Sequence, residues 1–413
     1  MDIHVLQSIR EQLDAYLSLY ADCIKTEPSR QHMNTYINGQ IGNLERKNVE
    51  AIALDAGVPP RTLQEFLAIH RWSDDAVRTR LQQLVEQVHG VDNAIAVIDE
   101  TSFAKKGNKT TGVQRQYCGS TGKKDNCVVS VHVGYSTPDL QTLLDTDLYL
   151  PEQWLSDCEL RDEAGIPDTV QFRTKPVIAI DLLRRCIDNG VKFKYLSADE
   201  LYGRSGEFRR EVESMGLTYV VEVPSSTSGW LKRPTVVKPA GVAPQTSRCF
   251  TRTRLSPKAA RHRRVDKIAP ECTLQAYHIK DTDKGPVVWE AKAMRFYPRE
   301  NGLPGKPCWL IIARNVLDGE MKYFLSNAAK DASIESMLHV AFSRSAIERL
   351  FKDSKGLVGL DHFEARKYKA VMRHLILSMV SMLFLAQQTQ RLGEKKSRMD
   401  NLPGSRSHRS ATG

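Results

Sequence analysis

Two strand-like stretches, each followed by an aspartate, constrain the fold of this chain more than any other feature. The run Ala94–Ile98 is continuously apolar, which is typical of a central strand buried on both faces. Asp99 and Glu100 follow it, and the stretch Phe193–Ser197 leads in the same way to Asp199. We predict that both strands end at these acids. Acids are also common in ordinary turns after strands, so the pattern alone leaves a plain turn open.

The order of these stretches favours an α/β fold. Three consecutive strands are predicted around Ala94–Ile98, Tyr117–Cys118 and Cys127–Tyr135, with a carboxylate on the first. This arrangement indicates a ribonuclease-H-like core. If the two Asp-bearing strands are neighbours in one sheet, Asp99 and Asp199 converge at its end despite the 100 residues between them.

A third carboxylate follows in a stretch with helical spacing. The spacing places five residues on one side of a helix: Arg344, Glu348, Phe351, Lys352 and Lys355. The packing face is predicted to consist of Ala346, Ile347, Leu350 and the bulk of Phe351. A solvated ladder of salt bridges has the same pattern. Together with Asp99 and Asp199, however, Glu348 completes a set of three carboxylates, and hard oxygen ligands suit Mg²⁺ or Mn²⁺ rather than zinc.

The overall charge is positive, with 59 Lys and Arg against 49 Asp and Glu and a formal net charge of +10. An excess of positive charge favours a polyanionic partner, most commonly nucleic acid. The N-terminus lacks the pattern of a secretory signal, and the longest apolar run, Leu375–Ala386, is too short to span a bilayer. The eight cysteines form no CxxC pair. We therefore expect a cytoplasmic, nucleoid-associated protein without a zinc site or a membrane partner.

The first 90 residues are predicted to form a helical DNA-binding domain. Helices over Glu45–Ala56 and Arg61–His70 are joined by a short turn that contains Gly57. This is the outline of a helix-turn-helix motif, in which Arg61 and Gln64 would face DNA. A plain helical hairpin fits the pattern equally well.

The remaining boundaries follow from changes in composition. The first part of the core is predicted over residues 91–224, a basic β-rich insertion over 225–306, the second part of the core with the Glu348 helix over 307–388, and a basic disordered tail over 389–413. Within the insertion, residues 231–267 hold eleven Lys and Arg against the single acid Asp266. Such a tract is either a solvated loop or a surface for phosphates.

The spacing Arg344-x3-Glu348-x6-Lys355, followed by Gly356–Phe363, resembles the YREK signature of the cut-and-paste DDE transposases of bacterial insertion sequences. The tyrosine of that signature would fall at position 341, where this chain has Ala341. The resemblance extends from about residue 27 to about residue 388.

This resemblance implies a DNA transposase that cleaves phosphodiester bonds at the ends of an insertion sequence and transfers the strands into target DNA. Asp99, Asp199 and Glu348 would hold two Mg²⁺ or Mn²⁺ ions. The partners would be double-stranded DNA with terminal inverted repeats and further copies of the chain, as a homodimer or a larger assembly. The residues expected to contact DNA phosphates are Arg344 and Lys355 and, with less support, Lys105, Lys106 and Arg204.

Two alternatives remain. One is a nuclease with the same core that cuts without joining strands. The other is a domesticated transposase that acts as a DNA-binding regulator or accessory factor.

Overall fold

The computed structural model describes residues 3–238, 253–282 and 285–400. The chain divides into two compact units. The first comprises Met1–Ala94, Ile98–Lys192 and Ala346–Gly413, and the second comprises Ile95–Val97 and Phe193–Ser345.

The first unit combines helices with the beginning of a sheet. Its helices are α1 (Ile3–Ser18), α2 (Glu27–Ile41), α3 (Val49–Asp55), α4 (Pro60–Ala68), α5 (Asp74–His89), α6 (Gln153–Ser156), α7 (Cys158–Ala164) and α8 (Lys175–Asp188). Its strands are β1 (Ile95–Ala104, from Ile98 onward), β2 (Gln114–Cys118), β3 (Lys123–Ser136) and β4 (Gln141–Tyr149). Strand β3 pairs antiparallel with β2 along its first residues and with β4 along the rest, and β1 is its other neighbour. Helix α8 packs on β3 and β4.

The N-terminal helices do not form a compact unit of their own, in contrast to the predicted boundary at residue 90. They pack against the last helix of the chain, which contacts α2, α4, α5 and β4. On that helix Arg373 is fully buried, and its guanidinium donates to the carbonyl oxygens of Phe66 and Leu67 at 3.1 Å. Gln40 of α2 hydrogen-bonds Ser378 at 2.8 Å. Buried polar contacts of this kind hold the N-terminal helices and the C-terminal helix in one unit.

The second unit carries the rest of the strands. Its elements are β5 (Tyr195–Ala198), α9 (Glu200–Gly203), α10 (Gly206–Ser214), β6 (Thr218–Glu222), β7 (Ser228–Trp230), β8 (Val236–Val237), β9 (Arg254–Leu255), β10 (Arg263–Arg264), α11 (Val265–Ile268), β11 (Gln275–Thr282), β12 (Gly285–Glu300), β13 (Leu303–Pro304), β14 (Cys308–Asn315), β15 (Met321–Ser326) and α12 (Ile334–Phe342). The strand order is β10-β7-β12-β14-β15-β6-β5, with β1 beside β5. Strands β5 and β6 are parallel, whereas β6 and β15, β15 and β14, and β14 and β12 pair antiparallel.

The predicted insertion, residues 225–306, contains strands, and its strand β12 is joined to the sheet of β5 and β6. Strand β12 pairs with β14, β14 with β15, and β15 with β6. Gly319 has φ +75° in the turn between β14 and β15, a conformation that favours glycine. Trp230 and Trp289 are buried core residues. Part of the basic tract, residues 239–252, lies outside the described residues.

The C-terminal part of the chain forms α13 (Ser345–Val358) and α14 (Tyr368–Asp400). Helix α14 continues to Asp400, through the first part of the predicted disordered tail; residues 401–413 lie outside the described residues. The segment Tyr368–Leu392 is long and apolar enough to cross a membrane, but 83% of its most apolar window is buried inside the protein. This burial is typical of a core helix.

Candidate active site

Asp99 lies in the middle of β1, which corrects the prediction that the strand ends there. The preceding residues Ala96, Val97 and Ile98 are buried, as the apolar run predicted. The strand then continues to Ala104 because Thr101–Phe103 are also buried. Asp99 itself is half-buried, and its Oδ1 accepts a hydrogen bond from the Glu100 amide at 2.8 Å. The sheet therefore fixes the backbone of this carboxylate on both sides.

Asp199 follows β5 as predicted and is the N-cap of α9. Its Oδ1 accepts from the amides of Leu201 and Tyr202, at 2.9 and 3.4 Å. Aspartate satisfies helix N-terminal amides in this way and is favoured by the positive end of the helix. At the other end of α9, a Cβ on Gly203 would collide with the carbonyl oxygen of Glu222, so the helix lies directly against β6. The carboxylate is thus held by its cap and by close backbone packing.

Glu348 lies in the first turn of α13 and is exposed. The same helix buries Ala346, Ile347 and Leu350, so its amphipathic pattern was read correctly. Arg344, however, precedes the helix, which begins at Ser345, and so it does not share a helical face with Glu348.

Arg344 belongs to the second unit, and its side chain lies close to a carboxylate of that unit. Its Nε lies 3.9 Å from Oε2 of Glu222, and its side chain is 22% exposed. The bulk of Phe351 packs as predicted, since the side chain is buried and lies edge-on against His132, with ring centroids 5.1 Å apart.

Lys355 forms a hydrogen bond between α13 and β1. Its Nζ donates to the carbonyl oxygen of Ser102 at 3.1 Å and lies 5.6 Å from the centre of the Phe103 ring. Burial lowers the pKa of Lys355, and the carboxylate of Asp361 acts in the opposite direction. Within the first unit, the helix that carries Glu348 is therefore bonded to the strand that carries Asp99. The polar residue Ser102 went unnoticed in the sequence, and its position three residues after Asp99 is the only signal for it.

The other predicted DNA contacts occupy different environments. Lys105 is half-buried, with Nζ donating to the carbonyl oxygen of Phe363 at 2.6 Å, and burial lowers its pKa to about 8. Lys106 and Arg204 are exposed. On α4 both Arg61 and Gln64 are exposed, and Arg61 pairs with Glu65 at 2.7 Å. Helix α3 begins at Val49 rather than Glu45, because Asn48 caps it by accepting from the Ala51 amide at 2.8 Å. The roles of these side chains toward DNA stay predictions.

The three carboxylates are divided between the units, with Asp99 and Glu348 in the first and Asp199 in the second. Within the described parts of the chain, no group of three or more His, Cys, Asp and Glu side chains forms a metal-binding cluster. The donor set itself consists of carboxylate oxygens alone, which is the chemistry that Mg²⁺ and Mn²⁺ prefer. The residues present therefore fit these ions by donor type.

The position expected to hold tyrosine is filled by Ala341 on α12. Its side chain is 3% exposed, and its carbonyl oxygen accepts from Oγ of Ser197 at 3.3 Å. The small side chain thus lies where α12 packs against β5.

Comparison with known proteins gives two findings. Residues 19–285 match the family model described as DDE superfamily endonuclease. The matched region contains Asp99 and Asp199 and ends before Glu348. The chain is also 33% identical over 220 residues to a protein of Microchaete diplosiphon described as a probable transposase for insertion sequence element IS701. That match covers 53% of this chain and 54% of the relative, so the chain spans about half the length of the relative.

Proposed function

This chain belongs to the DDE superfamily endonuclease family, and from that membership we propose that it is a DNA transposase of an insertion sequence. It cleaves phosphodiester bonds at the ends of its element with Mg²⁺ or Mn²⁺ and joins the released strands to target DNA. The observation that carries the proposal is the family match, which includes Asp99 and Asp199. The similarity to the probable transposase from Microchaete diplosiphon points the same way.

In this mechanism Asp99, Asp199 and Glu348 would hold the metal ions. When bound, divalent ions would lower the pKa of an attacking water or hydroxyl and offset the negative charge of the leaving oxygen. The protein's part is to keep the carboxylates in position. Strand β1 fixes Asp99, and the helix cap on Oδ1 orients Asp199. Glu348, exposed in the first turn of α13, is accessible to a ligand.

Two cations close to Glu348 in the sequence, Lys355 and Arg344, bind the phosphates of the DNA. Lys355 uses one of its three N–H donors on Ser102, and this bond sets the position of the ammonium group. Arg344 supplies a planar guanidinium that suits phosphate oxygens. Lys106 and Arg204, both exposed, extend the contact to flanking phosphates, and Lys105 supports the loop after β1 through its bond to Phe363.

Recognition of the terminal inverted repeats is assigned to the N-terminal helices and the basic insertion. Helix α4 presents Arg61 and Gln64 to solvent on the face opposite to its buried residues Leu63, Phe66 and Leu67. This is the arrangement that a recognition helix requires. Two ends must be processed together in cut-and-paste transposition, so the active form is a homodimer or a larger assembly on DNA.

The test is incubation of the purified protein with duplex DNA carrying the element's own ends, a target plasmid and Mg²⁺ or Mn²⁺. A transposase yields cuts at the ends and joined products in the plasmid. Cuts without joined products would identify a nuclease with the same core. Binding to the ends without cuts would favour a DNA-binding regulator and contradict the proposal.

A further inference from the structure

A two-stranded ribbon in the first unit has one polar, exposed face. Strand β2 pairs with the first residues of β3 in the register Arg115↔Asn126 and Tyr117↔Lys124. Side chains that are opposite one another in an antiparallel pair share a face. Arg115, Tyr117, Lys124 and Asn126 therefore form one face of the ribbon, which we call the ribbon face.

The opposite face of the ribbon packs through two cysteines. Cys118 and Cys127 lie on it and are inaccessible to solvent, whereas its polar side chains are exposed or half-buried. On the ribbon face Arg115 and Lys124 are exposed and Tyr117 is 66% exposed. The ribbon thus packs through its two cysteines and leaves a basic face with one aromatic ring in solvent.

The cations of the ribbon face have no acidic partner among the side chains that the structure describes. Within residues 7–238, 253–281 and 285–392, no carboxylate lies within 4.0 Å of the charged atoms of Arg115 or Lys124. At other positions an exposed cation has an acidic partner, for example Lys109 with Glu163 at 3.0 Å. Unpaired cations around an exposed aromatic ring are typical of a surface that binds a polyanion.

Asn126 brings a further cation to this surface. Its Nδ2 donates to the carbonyl oxygens of Lys105 and Gly107, at 3.1 and 2.7 Å. The segment 105–107 is therefore bonded to the ribbon face, and it carries the exposed side chain of Lys106.

The ribbon is anchored beside the strand of Asp99. Oγ of Ser102 accepts from the Ser120 amide at 3.2 Å and lies 3.5 Å from Sγ of Cys118. The carbonyl oxygen of the same Ser102 accepts from Lys355. Ser102 is three residues after Asp99, a distance of about 10 Å along a strand. One residue of β1 thus connects the turn of the ribbon, the Glu348-bearing helix and the Asp99 strand.

We propose that the ribbon face binds the phosphate backbone of double-stranded DNA, with Arg115 and Lys124 on phosphates and Tyr117 packed against the adjoining backbone. The major groove of B-DNA admits a two-stranded β-ribbon, and phosphate contacts of this kind position a duplex without reading its sequence. This inference rests on the proposed function, because it assigns a further contact surface for the same substrate.

The test measures how DNA affinity depends on salt. Wild type and Arg115→Gln/Lys124→Gln are titrated with a 30-base-pair duplex of arbitrary sequence between about 50 and 200 mM salt. Each phosphate contact contributes about 0.9 to the slope of log K against log salt concentration. We expect the double variant to lose about 1.8 from the slope, and Tyr117→Ala to bind more weakly with little change in slope.

Two further variants control for net charge and for folding. Lys25→Gln/Lys192→Gln removes the same charge from exposed positions that are not part of the ribbon and should retain the wild-type slope. Arg115→Lys/Lys124→Arg keeps the charge and should restore the slope if the ribbon binds phosphates. Thermal unfolding of each variant shows whether the ribbon is intact.

A slope equal to wild type in Arg115→Gln/Lys124→Gln would overturn the ribbon assignment, and so would an equal loss in Lys25→Gln/Lys192→Gln. If the variant instead changes self-association and leaves DNA binding unchanged, the ribbon edge pairs with a second copy and the proposal is wrong. The proposed function fails in a different way. A wild type that binds DNA without cutting element ends contradicts the transposase, while the slope comparison still decides the ribbon.

Discussion

Replacing Asp145 with asparagine tests the buried charges that support the sheet of the first unit. Asp145 lies on β4 with a fully buried side chain. It accepts two hydrogen bonds from Arg185, at 2.7 and 2.8 Å. Nε of Arg78 lies 3.1 Å from its Oδ1, which is an ion pair by distance without hydrogen-bond alignment. The arginine side chains are 32% and 4% exposed, respectively. One carboxylate thus compensates two guanidinium groups.

The cost of Asp145→Asn follows from this geometry. Asparagine keeps the shape, but it removes the negative charge and turns one acceptor into a donor that faces other donors. Breaking a buried ion pair on one side costs about 3–5 kcal/mol. This corresponds to a decrease of about two to four powers of ten in the folding equilibrium constant.

Urea unfolding followed by circular dichroism measures this loss as a lower midpoint with an unchanged slope. Asp75→Asn is the matched control, because Asp75 also pairs with Arg78, at 2.6 Å, but its side chain is 78% exposed. An exposed pair contributes at most about 1 kcal/mol. A loss of less than about 1 kcal/mol in Asp145→Asn, or equal losses in the two variants, would refute the reasoning.

Two further predictions concern a buried histidine and a tightly packed glycine. His374 bonds Tyr36 at 2.8 Å, and burial lowers its pKa to about 3, below an unfolded value of about 6.5. The neutral form therefore stabilises the fold above pH ~6.5, and up to about 1.4 kcal/mol of the free energy of unfolding is lost per pH unit as the pH falls toward 3. Between pH 7 and 5, the free energy of unfolding of His374→Gln should depend less steeply on pH than that of wild type. Equal slopes in the two proteins would contradict this prediction. Gly203→Ala should shift α9 away from the carbonyl of Glu222 and lower the free energy of unfolding by about 1–3 kcal/mol. Gly107→Ala is the control: no heavy atom lies within 4 Å of its added methyl group, so it should change stability by less than about 0.5 kcal/mol. Equal losses in the two variants would contradict the packing argument.

The regular elements were predictable where the sequence pattern is local. The apolar run before Asp199 and the predicted strand Cys127–Tyr135 appear where they were expected, as β5 and within β3. The end of β1 was predicted wrongly, because Asp99 and Glu100 interrupt the apolar run while the strand continues through buried Thr101–Phe103. A polar pair inside a strand has the same local pattern as a strand end.

The packing of distant elements was not predictable from local patterns. Nothing in the sequence near Arg373 indicates that its guanidinium bonds the carbonyl oxygens of Phe66 and Leu67, about 306 residues away. The N-terminal helices were therefore assigned to a separate domain. Likewise, the spacing from Arg344 to Lys355 is helical throughout, but the helix begins only at Ser345. Helix ends depend on capping and on neighbours as well as on spacing.

The site residues divide in the same way. Asp99 and Asp199 were chosen because each is an acid that follows an apolar run, and both lie inside the family match; their role in the site stays a prediction. The contacts that support these residues could not be predicted from the sequence. Ser102 accepts hydrogen bonds from both Lys355 and Ser120 only because the fold brings these distant residues together.

The most direct measurement of the central claim is metal-dependent cleavage of element ends by Asp199→Asn and Glu348→Gln. Each has a matched control. Asp157→Asn matches Asp199→Asn, because Asp157 is another helix N-cap and accepts from the Leu160 amide at 3.0 Å. Glu335→Gln matches Glu348→Gln, because Glu335 is another exposed glutamate in the first turn of a helix. Asparagine remains a good N-cap, so these variants should fold. We predict that both site variants bind end DNA like wild type but do not cut it, while both controls cut normally. Cleavage at the wild-type rate by either site variant would contradict the account.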